Sequence, residues 1–157
     1  MEDISIACGG GELLDRIERL WVELREHHAG LSAEWREGLL KGNFPERRAE
    51  LVKKGSRGLL VMLASSGEET TGYCVCTIGD GGQGEIDSIF VTQRMRGRGL
   101  GKLLMNRAMD WLREKGAEPI VVEVMAGNTQ AAKLYEQFGF RTRTLRMRYV
   151  GDGRTES

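Results

Sequence analysis

The stretch Arg96-Gly97-Arg98-Gly99-Leu100-Gly101-Lys102 constrains this chain more than any other. It lies between a β-prone run, residues 85–91, and an apolar-periodic run that starts at Leu100, so it must turn a strand into a helix. Glycine lets a backbone come close to a ligand. The first N–H groups of a helix have no partner within it, and the helix dipole favours an anion there. Arg94, Arg96, Arg98 and Lys102 add positive charge in the same place, which makes the turn a phosphate or pyrophosphate site. Two phosphate motifs do not fit. A P-loop needs Ser or Thr after Gly101-Lys102, where Leu103 stands. A dinucleotide fingerprint needs G-x-G-x-x-G, whereas Gly97, Gly99 and Gly101 recur at every second residue.

The rest of the chain supplies the frame for that turn. A short β-prone segment, Ile4 to Cys8, ends at Gly9-Gly10-Gly11. Leu14, Ile17, Leu20, Trp21 and Leu24 recur at three and four, which predicts an amphipathic helix over 11–28. Helical stretches follow at 32–41 and from Pro45 to Gly55, as two helices or one interrupted segment. Gly58 to Ala64, Tyr73 to Ile78 and residues 85–91 read as strands joined by Gly-rich hairpin turns, the first buried on both faces. The helix after the turn carries Leu100, Leu103, Leu104, Ala108, Trp111 and Leu112 as its stripe and ends at Gly116. A buried strand over 119–126 comes next. A helix opened by Asn128 or Thr129 and closed by Gly139 follows, with Ala131, Leu134 and Phe138 facing inward. Phe140 to Val150 alternates as a last strand, and 152–157 reads as a frayed tail. Hairpins first and a crossover helix later give an α/β chain with a mixed sheet, not a doubly wound parallel one.

Composition bounds the partners. The 157 residues fit one domain, 1–157, with enough chain for a core. Twenty-three Lys+Arg balance 23 Asp+Glu, which argues against nucleic acid or an anionic membrane as a partner chosen by bulk charge. No apolar run approaches the roughly 18 residues of a spanning helix, and the acidic start MEDISIACGG does not read as a secretion signal. Cys8, Cys74 and Cys76 form no CxxC pair, so a reducing cytoplasm is expected and a disulfide framework is not. Adjacent His27 and His28 with this cysteine spacing make no zinc set, and no metal site is expected.

The pattern Arg96-x-x-Gly99-x-Gly101 after a strand resembles the acetyl-CoA signature Gln/Arg-x-x-Gly-x-Gly/Ala of the GNAT superfamily of N-acetyltransferases. Downstream, VEVMAGNTQAAKLYEQFGF resembles the second half of that family's core, with Asn128, Ala131, Leu134, Tyr135, Gly139 and Phe140 at matching spacings. The resemblance covers roughly residues 85–150, whereas residues 1–84 match in element order alone. It implies the GNAT fold: a mixed, mostly antiparallel sheet of six or seven strands, flanked by about four helices and splayed between strands four and five. It also implies acetyl transfer from acetyl-CoA, as co-substrate, to a primary amine by direct attack in a ternary complex. Such chemistry must hold the thioester, deprotonate the ammonium, polarise the carbonyl and protonate the leaving thiolate.

Residue by residue, the resemblance places pantetheine along the backbone of Ile89, Phe90 and Val91 in a bulged fourth strand. The pyrophosphate falls on amides from Arg96 through Gly97, Arg98, Gly99, Leu100 and Gly101 to Lys102. Asn128 and Ala131 fall on the cofactor side, and Asn128 reads equally as an ordinary N-cap. Tyr135 matches the general acid beside the CoA sulfur. For the base, Glu123 stands ahead of Glu85, with Asp87 acting through water, or a water chain alone, as alternatives. His27 and His28 read as a solvated helix end that could also meet substrate. Arg146 and Arg148 share a solvated strand face, and Cys74 and Cys76 share a strand face and read as buried or inert.

The expected activity is that of a cytoplasmic transferase acting on a small-molecule or peptide amine, with a homodimer left open. The rival class is a GNAT-like module that binds or senses acetyl-CoA without turnover. Residues 26–45, where acceptor contacts would fall, carry no specific code for the acceptor.

Overall fold

The structure is a computed structural model and describes residues 3–152. Five strands form one sheet in the order β1 (Ile4–Gly9), β2 (Gly58–Ser66), β3 (Glu69–Ile78), β4 (Gly84–Val91) and β5 (Ile120–Val122). The first four run antiparallel to their neighbours, and β5 lies parallel to β4. The helices are α1 (Glu18–Leu31), α2 (Ala33–Lys41), α3 (Phe44–Lys54), α4 (Leu100–Glu114) and α5 (Thr129–Gln137), with 3-10 turns at Gly11–Ile17 and Gln93–Met95. The parallel pair requires a crossover, and α4 supplies it.

Each face of the sheet carries its own core. On one face Leu100, Leu104, Met105, Ala108 and Leu112 of α4 pack on Met62, Cys74, Cys76 and Ile86, joined by Tyr135 of α5. On the other, Leu14, Ile17, Leu20, Phe44 and Leu51 pack on Val61, Leu63, Tyr73, Val75 and Phe90. The continuous apolar run of β2 serves both faces at once, which is why it does not alternate. Truncating a fully buried leucine such as Leu104 or Leu112 removes contacts worth about 2–5 kcal/mol.

Several expectations are corrected here. The described residues contain five strands, not six or seven, and five α-helices rather than four. Arg141 to Val150 forms no strand: Leu145, Met147 and Tyr149 are 80%, 92% and 84% exposed. Alternation supplies the two faces of a strand, but a strand also needs an edge to pair with, and β5 offers only three residues. β5 itself is shorter than the expected 119–126 and half-buried rather than buried. The first helix begins as a 3-10 turn over Gly11–Ile17 and becomes α-helical only at Glu18. The second and third helical stretches are separate, because Asn43 caps α3 through the Glu46 N–H and Pro45 follows in the first turn. On α4, Leu103 is exposed while Met105 and Met109 are buried. Of the tail expected to fray, residues 153–157 lie outside the described residues.

The feature that positions the site is a β-bulge. Val75 pairs with Ser88 and Cys76 pairs with Ile86, so Asp87 is the extra residue of β4. The bulge reverses the alternation. Ile86 packs toward α4, yet Ser88 and Phe90 both turn to the other face, Ser88 to the Tyr73 hydroxyl at 2.6 Å. Pairing between β4 and β5 stops one residue before the bulge, at Ile86 and Val122. β5 ends at that point, and β4 runs on without a β5 partner.

Candidate active site

A narrow cleft of about 70 Å³ lies beside this part of β4. Asp87, Ser88 and Ile89 of β4 line one wall, and Glu123, Val124 and Met125, just past β5, line the other. Asn128, Ala131 and Tyr135 enter from α5, and Leu24 and His28 from α1. The sequence-predicted residues Tyr135, Glu123, Asn128, Ala131 and Ile89 are thus brought together.

Tyr135 is buried, packed edge-on to Phe140 with ring centroids 6.0 Å apart. Burial pushes its hydroxyl well above the ordinary phenol value, with Cys74, Cys76 and Tyr73 adding to the shift, so the group is held protonated. Glu123 is exposed at the cleft wall. Asn128 is the N-cap of α5: its Oδ1 accepts from the Ala131 N–H at 3.1 Å.

Glu85 lies elsewhere. It is buried beside Thr77 and Val121 on β3 and β5, and its carboxylate pairs with Lys54 of α3. The same ammonium stands 2.7 Å from Asp87 Oδ1, and the Thr77 hydroxyl donates to Asp87 Oδ2 at 2.6 Å. Two carboxylates therefore share one cation at the bulge. Burial pushes the Glu85 carboxyl up, Lys54 pulls it back, and Asp87 pushes it up again. Burial opposes the charge of Lys54, but its bonds to Asp87 and Glu85 outweigh that and raise its pKa. Arg47 adds a bond from its guanidinium to the Asp87 carbonyl at 3.2 Å. Lys54, Thr77 and Ser88 escaped the sequence reading. Their partners lie 31, 10 and 15 residues away, and no local spacing reports such contacts.

The Gly-rich turn approaches this cleft from the other end. Gly97 and Gly99 both have φ of +79°, a conformation that favours glycine, and Gly99 is the N-cap of α4. Among the described residues, the amides of Gly99, Leu100, Gly101 and Lys102 have no hydrogen-bond partner. The Arg96 amide differs, since it donates to the Gln93 carbonyl at 3.2 Å. The Arg96 guanidinium folds back over the Phe90 ring and donates to the Val91 carbonyl at 3.0 Å, bracing β4. Arg94 turns away to Glu69, 2.6 Å distant. A Cβ on Gly101 would lie 3.8 Å from Leu134, so the N-terminus of α4 abuts the residue before Tyr135. Phe90 is a core residue whose side chain faces α1 and α3, so only its backbone is available to a ligand.

The turn thus presents a row of open amides, and the cleft beside α5 a buried phenol, an exposed carboxylate and a stretch of β4 without a β5 partner. Residues 17–140 match the sequence model of the "Acetyltransferase (GNAT) family", and the chain belongs to that family. Mycothiol acetyltransferase of Beutenbergia cavernae is 37% identical over 70 residues, 45% of this chain and 24% of that protein. The [ribosomal protein bS18]-alanine N-acetyltransferase of Salmonella typhimurium is 37% identical over 62 residues, 40% of this chain and 42% of that one. The matches thus span about a quarter to two-fifths of the length of these relatives. Among solved structures, the PaiA N-acetyltransferase of Thermoplasma acidophilum in complex with coenzyme A shares the fold, with a TM-score of 0.72. It is 19% identical, and the match covers 92% of this chain and 93% of that one.

Proposed function

We propose that the chain is an acetyl-CoA-dependent N-acetyltransferase that moves the acetyl group to a primary amine of a small molecule or peptide. The observation that carries this reading is the row of unpartnered amides at Gly99–Lys102, joined through Leu134 to the helix that holds Tyr135. The diphosphate of acetyl-CoA binds those amides and the dipole of α4. Pantetheine runs along Ile89–Val91, where β4 has lost its β5 neighbour and can pair with an extended ligand.

Glu123 is the general base of this proposal, directly or through one water. It is the cleft carboxylate without a cation partner among the described residues, while Glu85 and Asp87 share Lys54. The reaction balances as follows. The ammonium loses a proton to Glu123, and the freed amine attacks the thioester carbonyl. The nitrogen, positive after attack, sheds its second proton to water as the C–S bond breaks, the thiolate takes the Tyr135 proton, and solvent returns a proton to the phenolate. Burial makes the phenol a weak acid, yet a thiolate formed in the same buried surroundings is equally costly, so the transfer keeps its driving force. A cytoplasmic setting goes with free Cys8, Cys74 and Cys76.

Thiol release from acetyl-CoA across a panel of small amines, aminoglycosides and peptide N-termini tests the proposal. Release that depends on an amine is the expected result. Tight acetyl-CoA binding with no release from any amine would favour the non-catalytic binding module instead.

A further inference from the structure

The cap of α5 fixes the protonation of a residue on α1. Asn128 Oδ1 is committed to the Ala131 N–H. Flipping the amide would set its NH2 against that N–H, donor to donor, so Nδ2 must point the other way. There it meets His28 Nε2 at 3.3 Å. An amide NH2 can only donate, so Nε2 must accept. An imidazole that accepts at Nε2 is neutral and carries its proton on Nδ1.

This bond joins α1 to α5 across 100 residues of chain, at the cleft that both helices line with Glu123 and Tyr135. We propose that His28 is a positioning residue for acetyl transfer, its neutral imidazole latching α1 to the N-cap of α5 so that the acceptor side of the cleft keeps its place. The inference rests on the proposed function for the reaction it serves, while the latch itself rests on geometry.

Protonation sets an N–H against an N–H and opens the latch. Burial, and then neighbouring His27, holds His28 below the ordinary histidine value, so the folded state favours the closed form. The other titratable groups lining the cleft are Asp87 from β4, Glu123 beyond β5 and Tyr135 from α5. Asp87 is engaged by Lys54 and Thr77, and Tyr135 is held neutral, which leaves Glu123 as the group able to favour an imidazolium. The latch contribution is full above the unfolded histidine value of about 6.5 and declines as pH falls below it.

Nitrogen-15 NMR of labelled histidine reads the tautomer directly. The expected spectrum has His28 protonated at Nδ1 and titrating below the ordinary histidine value of about 6.5. Asn128→Asp keeps a cap oxygen but replaces the donor with an acceptor. It should move the His28 pKa above about 6.5 and shift the proton of the neutral form to Nε2. In kinetics, His28→Phe should lower kcat/KM for the amine about tenfold, the scale of one neutral hydrogen bond, and leave acetyl-CoA affinity unchanged. His28→Gln, which can still accept, should recover part of the loss and remove the acid-side pH dependence of the latch. An Nε2–H tautomer in the unaltered protein would overturn the proposal, and so would a His28→Phe variant with unchanged kcat/KM and pH profile. If no amine is acetylated by the unaltered protein, the functional reading fails, and the tautomer still decides whether the latch exists.

Discussion

Removing the shared cation at the bulge gives the sharpest prediction of the fold's energetics. In Lys54→Met the alkyl stem remains and the ammonium goes. The carboxylate of Asp87, whose side chain is 0% exposed, then loses its cation and keeps the Thr77 hydroxyl at Oδ2. Glu85 loses the same partner. Breaking a fully buried pair costs about 3–5 kcal/mol. The Lys54 side chain is 37% exposed, so water screens one end of the interaction and roughly half of that cost is expected, about 2 kcal/mol at pH 7. For a chain of this length the loss corresponds to a fall in Tm of about 4–8 °C. The pH dependence has a fixed sign. Burial already raises the Glu85 carboxyl, and loss of Lys54 raises it further. A carboxyl whose folded pKa exceeds the unfolded value of about 4.3 binds its proton more tightly in the native state, so acidification stabilises the variant relative to the parent. Urea unfolding at pH 7 and at pH 5 measures this, with a smaller gap expected at pH 5. The double variant Lys54→Met/Glu85→Gln should recover part of the loss at pH 7. A gap that is absent, or that widens at pH 5, would refute the shared-cation reasoning.

Other outcomes follow from the same geometry. Gly99→Glu should abolish acetyl-CoA binding by calorimetry through negative charge at the start of α4, while Gly99→Ala should cost about 1–2 kcal/mol of stability for its φ of +79°, with no clash, since a Cβ there meets nothing within 4 Å. Tyr135→Phe should lower kcat by more than it weakens acetyl-CoA binding, and unchanged steady-state turnover would remove the acid role. Glu123→Gln should flatten the rise of kcat/KM with pH while Glu85→Gln keeps it, and the reverse pattern would move the base to Glu85.

What could be read from the sequence divides along physical lines. The Gly-rich turn was legible because glycine spacing and clustered charge are local properties, and the structure places open amides there. Asn128 was legible as a cap because it stands directly before a helical run, whereas Tyr135 was singled out by the resemblance and not by its spacing. The carboxylates were not separable, since Glu85 and Glu123 both read as polar strand residues. The long-range contact with Lys54 distinguishes them, and no periodicity encodes it. The alternation in Phe140–Val150 is real, but pairing is a property of a neighbouring edge, and the short β5 provides little of one. His28 looked like the solvated end of a helix because a histidine pair near Gly30 carries no information about the cap 100 residues away.

The most direct test of the central claim is an amide NMR titration of the protein with acetyl-CoA. The largest chemical-shift changes should fall on Gly99, Leu100, Gly101 and Lys102, with a second group at Ile89–Val91. Saturable binding that leaves those amides unmoved and perturbs another surface would contradict it.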